Sequence, residues 1–197
     1  MNVPPPRSPR ESAMSSPRSS PFDSADTVNR VVALLVRFPE LHSVRSTPAD
    51  GSLTLSFAVR KKLDRAQTRT FGDDVAEHVR ALLDLRGETP ARIAVTADRD
   101  AAVTFVHVTR DAETFGREEL ELIVGLMVQT YGDALVRDDA DAAPDDDPGA
   151  REEAVEVALD AFRDPAQRQR LVGFREEQRV VVYFVHARKR AKARARS

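Results

Sequence analysis

The run Leu53-Thr54-Leu55-Ser56-Phe57-Ala58-Val59-Arg60 alternates large apolar side chains with small or polar ones. Successive side chains of a strand point to opposite faces, so this pattern predicts a strand with one face buried and the other wet. Leu41 to Ser46 predicts its partner, and Thr47-Pro48-Ala49-Asp50-Gly51 between them carries the Pro and Asp-Gly chemistry of a tight turn. Ahead of this hairpin, Val28, Val31, Val32, Leu35 and Phe38 recur at helical spacing from an Asp26 N-cap until Pro39 stops the helix.

The pattern recurs along the chain. Val75, Val79, Leu82 and Leu83 predict a second helix ending near Gly87, followed by a hairpin of Arg92 to Ala97 and Ala102 to Thr109 around Asp98-Arg99-Asp100. Leu120, Ile123, Val124, Met127, Val128, Tyr131 and Leu135 form one stripe and predict a long core helix from about Arg117 to Val136. Val155, Ala158, Leu159 and Phe162 predict a short helix ending at Asp164-Pro165. A third hairpin, Leu171 to Phe174 and Arg179 to Val185, then closes around Arg175-Glu176-Glu177-Gln178. Its second strand is apolar on both faces, which demands cover on both sides. These readings predict an α+β fold of antiparallel hairpins with packed helices, in the order α-ββ-α-ββ-α-(linker)-α-ββ.

Composition sets the boundaries. Twelve of the first 22 residues are Pro or Ser, so residues 1–22 read as a disordered leader whose Ser-Pro steps could take phosphate. Residues 23–137 read as the main domain, and 138–150, with six aspartates in ten positions before Pro148-Gly149, as an acidic linker. Residues 151–187 read as a helix and hairpin packed on the main domain, and 188–197 as a basic disordered tail.

Overall charge is −2, but the leader and the last ten residues hold nine of the 30 basic side chains and one of the 32 acidic ones. Residues 23–187 therefore carry a balance of −10, flanked by basic ends. The chain has no cysteine, which excludes thiol catalysis, disulfides and thiolate metal sites. Its longest apolar runs, Val31 to Val36 and Val180 to Val185, are six residues each, against the ~20 that a membrane span needs. No apolar segment of signal-peptide type follows the first arginines, so a cytoplasmic location is expected.

Chemical motifs are sparse. No two of the eight glycines lie closer than seven positions, so phosphate-cradling loops and a Gly-x-Ser-x-Gly elbow are absent. Of His42, His78, His107 and His186, the two in apolar strands, His107 and His186, could meet in a sheet as a metal or acid/base pair. The run Asp138, Asp139, Asp141, Asp145, Asp146 and Asp147 cannot be laid on a calcium loop. Glu176 with Glu177, and Asp98 with Asp100, are paired acids by position, but general acid/base work needs carboxylates inside a cleft and turn tips are wet. Catalysis would need an exposed cleft lined by His107 or His186 with a carboxylate in hydrogen-bond reach. No enzyme, metal or cofactor is expected.

Two stretches, Leu171-Val172-Gly173-Phe174-Arg175-Glu176-Glu177 with Arg179-Val180-Val181-Val182-Tyr183-Phe184, and Leu34-Leu35-Val36-Arg37-Phe38-Pro39-Glu40, resemble a family of uncharacterised bacterial proteins. Glu118 to Tyr131 fits the same family, so the resemblance spans roughly residues 27–185. It implies no assigned activity. In element order the chain is also similar to the small acidic chaperones of bacterial secretion systems, which dimerise and wrap an extended partner segment.

The expected function is that of a non-catalytic cytoplasmic interaction or scaffold protein. Its surface for a protein partner or for self-association would be Val180 to Val185 and the third helix, with no membrane and no small-molecule substrate. One alternative is an RNA- or ribosome-associated accessory protein that uses the arm Arg188, Lys189, Arg190, Lys192, Arg194 and Arg196. Another is a secretion-chaperone-like binder of an extended segment. Six cations in nine residues would displace counterions from a polyanion, giving a slope of log K against log salt of at most about −4 to −5. Glutamine at all six positions is expected to abolish retention on RNA or heparin while leaving the melting temperature within about two degrees. RNA binding that survived the substitution would leave the arm without a role.

Overall fold

A computed structural model describes residues 24–137, 148–163, 170–176 and 179–185. The predicted leader, most of the acidic linker, His186, Glu177 and the basic arm lie outside the described residues. The elements are α1 (Ser24–Arg37), β1 (Leu41–Thr47), β2 (Ser52–Val59), α2 (Arg65–Leu85), β3 (Ile93–Asp100), β4 (Val103–Asp111), α3 (Arg117–Tyr131), α4 (Pro148–Arg163), β5 (Arg170–Glu176) and β6 (Arg179–Val185). The fold is α+β, with helices on a six-stranded antiparallel sheet of order β3-β4-β2-β1-β5-β6.

The first hairpin is the middle of the sheet. β4 adds to the outer side of β2 with Leu55 opposite Val108, and β5 adds to the outer side of β1 with Val44 opposite Gly173. Alternation then decides which residues meet the helices. Leu41 and Val44 of β1, Leu53, Leu55, Phe57 and Val59 of β2, Val106 and Val108 of β4, and Leu171 of β5 are all buried in one core. The helices bury matching stripes against them: Val31, Leu34 and Leu35 from α1, Phe71, Val75, Val79 and Leu83 from α2, Leu120, Ile123 and Met127 from α3, and Val155, Ala158 and Leu159 from α4. Each large side chain so buried contributes about 1.5–3 kcal/mol. No helix among the described residues is long and apolar enough to cross a membrane.

Several boundaries differ from expectation for local reasons. Asp98, Arg99 and Asp100 belong to β3, paired with Phe105, Thr104 and Val103, and the chain reverses at Ala101-Ala102. Two-residue hairpin loops need a positive φ, and Ala101 takes one (50°) without being glycine, so no turn residue marks the place. The third helix stops at Tyr131, before Gly132 (φ 49°), and Leu135 is buried by bridging to Val59 rather than on the helix stripe. α2 begins at Arg65 under a capping box in which Asp64 accepts from the Gln67 backbone and the Gln67 side chain accepts from the Asp64 backbone. α4 begins at Pro148, inside the expected linker, because proline suits a first helical turn.

Two arginines fasten the outer elements. Arg110, 1% exposed, forks onto the carboxylate of Glu119 in the first turns of α3, and also donates to Asp111, the Arg92 carbonyl and the Thr114 hydroxyl. Arg175 of β5 donates to the carbonyls of Leu35, Phe38 and Leu41, which closes the C-terminal end of α1.

Gly173 marks where α1 lies on β5. A Cβ there would overlap a methyl of Val31 and press on Leu35 at 3.2 Å. Gly173→Ala is therefore expected to lower stability by about 1–3 kcal/mol in urea unfolding, with Val31→Ala in the same chain recovering part of the loss. Losses that simply add would show that the two residues do not meet.

Candidate functional site

Because every helix stripe is spent on one side of the sheet, the other side is built from strand residues alone. Its centre is polar. Ser56 of β2 hydrogen-bonds through Oγ to Nδ1 of His107 on β4 (2.8 Å), and Nε2 of His107 lies 3.3 Å from Asp98 Oδ2 on β3. Thr54 and Thr109 join hydroxyls alongside at 3.0 Å. His42 sits where the β1 register shifts between Leu41 and Ser43, and its ring meets Phe105 at 5.0 Å. Burial, then the neighbouring His107 and Arg175, lower the His42 pKa from its ordinary value.

Towards the β6 edge the same face becomes apolar. Phe174 and Tyr183 stack at 5.6 Å, with Val172, Val181 and Val185 around them by strand alternation. Tyr183 is 52% and Val185 41% exposed. Val180, Val182 and Phe184 on the other side of β6 pack partly against the core. The strand expected to need cover on both faces thus has it on one.

A serine, a histidine and an aspartate in a hydrogen-bonded row have the composition of a nucleophile, its base and an orienting acid. The surroundings do not complete that chemistry. Ser56 is 4% exposed beneath its neighbours, the Asp98 side chain is 85% exposed, and β2 has a paired strand on each side, which commits the backbone N–H groups an oxyanion would need. The carboxylate set as a condition for catalysis is present. The row lies on the open sheet face, and the groove between α2 and β3 reaches Asp98 but has neither His107 nor Ser56 in its lining. The row reads chemically as a cross-strand polar ladder.

Other candidates separate. His78 lies on the exposed side of α2 against the Asp74 carbonyl. Three strands separate β4 from β6; the histidine whose charge acts on His42 is His107, while the expected partner His186 lies outside the described residues. Asp98 and Asp100 are strand residues rather than a turn-tip pair, and Glu176 pairs with Arg179 at 3.4 Å. The third helix buries Glu119, Leu120, Ile123, Val124 and Met127, so its stripe is core rather than partner surface. Among the described residues no group of three or more His, Asp or Glu is arranged to hold a metal. The Asp138 to Asp147 run and the arm Arg188, Lys189, Arg190, Lys192, Arg194 and Arg196 lie outside the described residues.

His42 and Phe105 escaped the sequence reading because they meet through the non-consecutive neighbours β1, β2 and β4. Asp98 was hidden by its assignment to a turn. No family model, curated protein or solved structure matches the chain.

The His42 environment fixes the sign of a pH effect. A lowered folded pKa leaves its stabilisation complete above the unfolded value near 6.5, and that stabilisation is lost as pH falls through the folded value. Urea midpoints at pH 7.5, 6.5 and 5.5 are expected to fall more steeply for the parent than for His42→Phe, which keeps the ring against Phe105. Parallel pH dependences would contradict this environment.

Proposed function

We propose that the protein is a non-catalytic cytoplasmic interaction protein that joins a partner, or a second copy of itself, through β6 and the uncovered face beside it. The observation that carries this reading is the edge strand. Among the described residues β6 has β5 as its one neighbour, and it presents six consecutive apolar residues, Val180 to Val185, with neither proline nor charge among them. Natural sheets usually protect their edges with such residues. Tyr183, Val185 and the stacked Phe174 extend the edge into an apolar strip of the kind found at interaction sites. The likeness to uncharacterised bacterial proteins fits this reading and adds no activity to it.

A second reading has one observation in its favour. The basic arm follows β6 in sequence, and Phe174 with Tyr183 would offer a surface for base stacking beside it. In that reading RNA, rather than protein, occupies the face.

Sizing of the full chain over a hundredfold concentration range distinguishes them. The parent is expected to elute above its 21.8 kDa monomer mass and to dissociate on dilution. Val181→Lys with Val185→Lys is expected to stay monomeric without a lower melting temperature, and truncation after Ala187 to leave association intact. Association that disappears with the arm and persists in the lysine variant would move the assignment to the second reading.

A further inference from the structure

Besides its core stripe, α2 carries a second one: Arg65, Arg69, Gly72, Ala76 and Arg80 recur every three or four residues on a face turned away from the core. This face flanks β3, and the space between helix and strand is a groove of about 890 Å³. On the strand side it is lined by Ile93, Val95 and Ala97, half-exposed, and by Arg99. Gly72 lets the helix come close, since a Cβ there would stand 3.2 Å from Val95 Cβ. Among the described residues β3 pairs only with β4, so its outer row of backbone N–H and C=O groups has no strand partner there.

An edge strand beside a helix is the geometry that accepts a peptide as an added strand: main-chain hydrogen bonds supply affinity, and alternate side chains enter the groove. The charges decide which peptide. The groove's three carboxylates are already engaged: Asp64 in the cap of α2, Asp73 4.0 Å from Arg69, and Asp98 beside His107. Arg65, Arg80 and Arg99 make no hydrogen bond or ion pair with any described residue. Free guanidinium groups on the helix and strand flanks of a groove with an apolar floor match carboxylates at alternate positions of an extended chain.

We propose that the α2–β3 groove binds an extended acidic peptide as a strand added to β3, with its alternate Asp or Glu side chains held by Arg65, Arg80 and Arg99. The site is independent of the β6 surface, so either can fail alone. β3 is eight residues long and sets the span of the bound segment.

The test uses the full chain and a fluorescein-labelled peptide, Glu-Val-Glu-Thr-Glu-Val-Glu-Thr, read by anisotropy at low salt. It is expected to bind at least tenfold more tightly than the same peptide with Gln for Glu. Arg65→Glu with Arg80→Glu and Arg99→Glu, all exposed positions, is expected to weaken it at least tenfold, while the Val181→Lys, Val185→Lys variant binds as the parent does. Alternate amides of an added strand point at its neighbour, so N-methylation of one alternating set is expected to abolish binding and of the other to spare it. Equal affinity after charge reversal, or indifference to both methylated sets, would overturn the proposal. So would a single-stranded oligonucleotide that binds more tightly through the same arginines, since the groove would then be a phosphate site.

Discussion

A guanidinium buried where β2, β3, β4 and α3 converge governs the arrangement of this molecule. Arg110 is opposite Leu53 on one side and Ile93 on the other, and its side chain points to the helices, into a layer otherwise made of valine, leucine and phenylalanine. A charge there is tolerable only if it is fully paired, and removing one partner of such a group typically costs 3–5 kcal/mol. Its partners come from four places in the chain: Arg92 before β3, Asp111 at the end of β4, Thr114 in the loop that follows, and Glu119 in α3. Burial raises the Glu119 pKa, with Arg110 pulling the other way. Burial also opposes ionisation of Asp111, but hydrogen bonds from Thr114, the Arg92 amide and Arg110 hold it at about 2. Satisfying one cation fixes the β3–β4 register and the docking of α3 together.

With α3 placed beside α2, and α4 brought to it through Arg117 with Glu152 (3.0 Å) and Arg163 on the Phe115 carbonyl (2.6 Å), the helices of the described residues lie on one side. The opposite face is consequently finished by its own side chains. In the middle this succeeds, because Ser56, His107, Thr54 and Thr109 bond one another across strands and His42 and Phe105 roof them. Along β5 and β6 the polar pair Glu176 and Arg179 stands at the hairpin end, and beyond it valine, phenylalanine and tyrosine stand in the open.

Local order was legible in the sequence wherever one residue pattern decides it. The alternation of Leu53 to Val59 and the helical stripes through Val31, Val75, Ile123 and Leu159 reappear as elements and as core. What was not legible is non-local. Nothing in residues 41–47 says that β1 will accept β5 across more than a hundred positions, and the ladder around His107 exists because β4 adds to β2 rather than remaining a separate hairpin. The buried fork of Arg110 was likewise invisible, since an arginine after Thr109 looks like the wet end of a strand. The capping box at Asp64 and Gln67 is different: its Asp-x-x-Gln spacing is local and stands in the sequence ahead of the helix's apolar stripe.

The two sheet edges have been finished by different means, and this bears on how they can be used. At β3 the next layer is α2, whose arginines and small residues leave a channel along the strand; anything added there must be narrow, extended and complementary in charge. At β6, Tyr183 and Val185 stand exposed on the face that the described helices leave bare. A body carrying −10 repels polyanions at long range, so the basic arm and the arginines beside β3 act as local exceptions rather than as parts of one positive surface. A narrow charged channel selects by sequence, whereas a broad apolar edge selects by area. The two proposed surfaces therefore lie on different strands of one sheet and differ in chemistry.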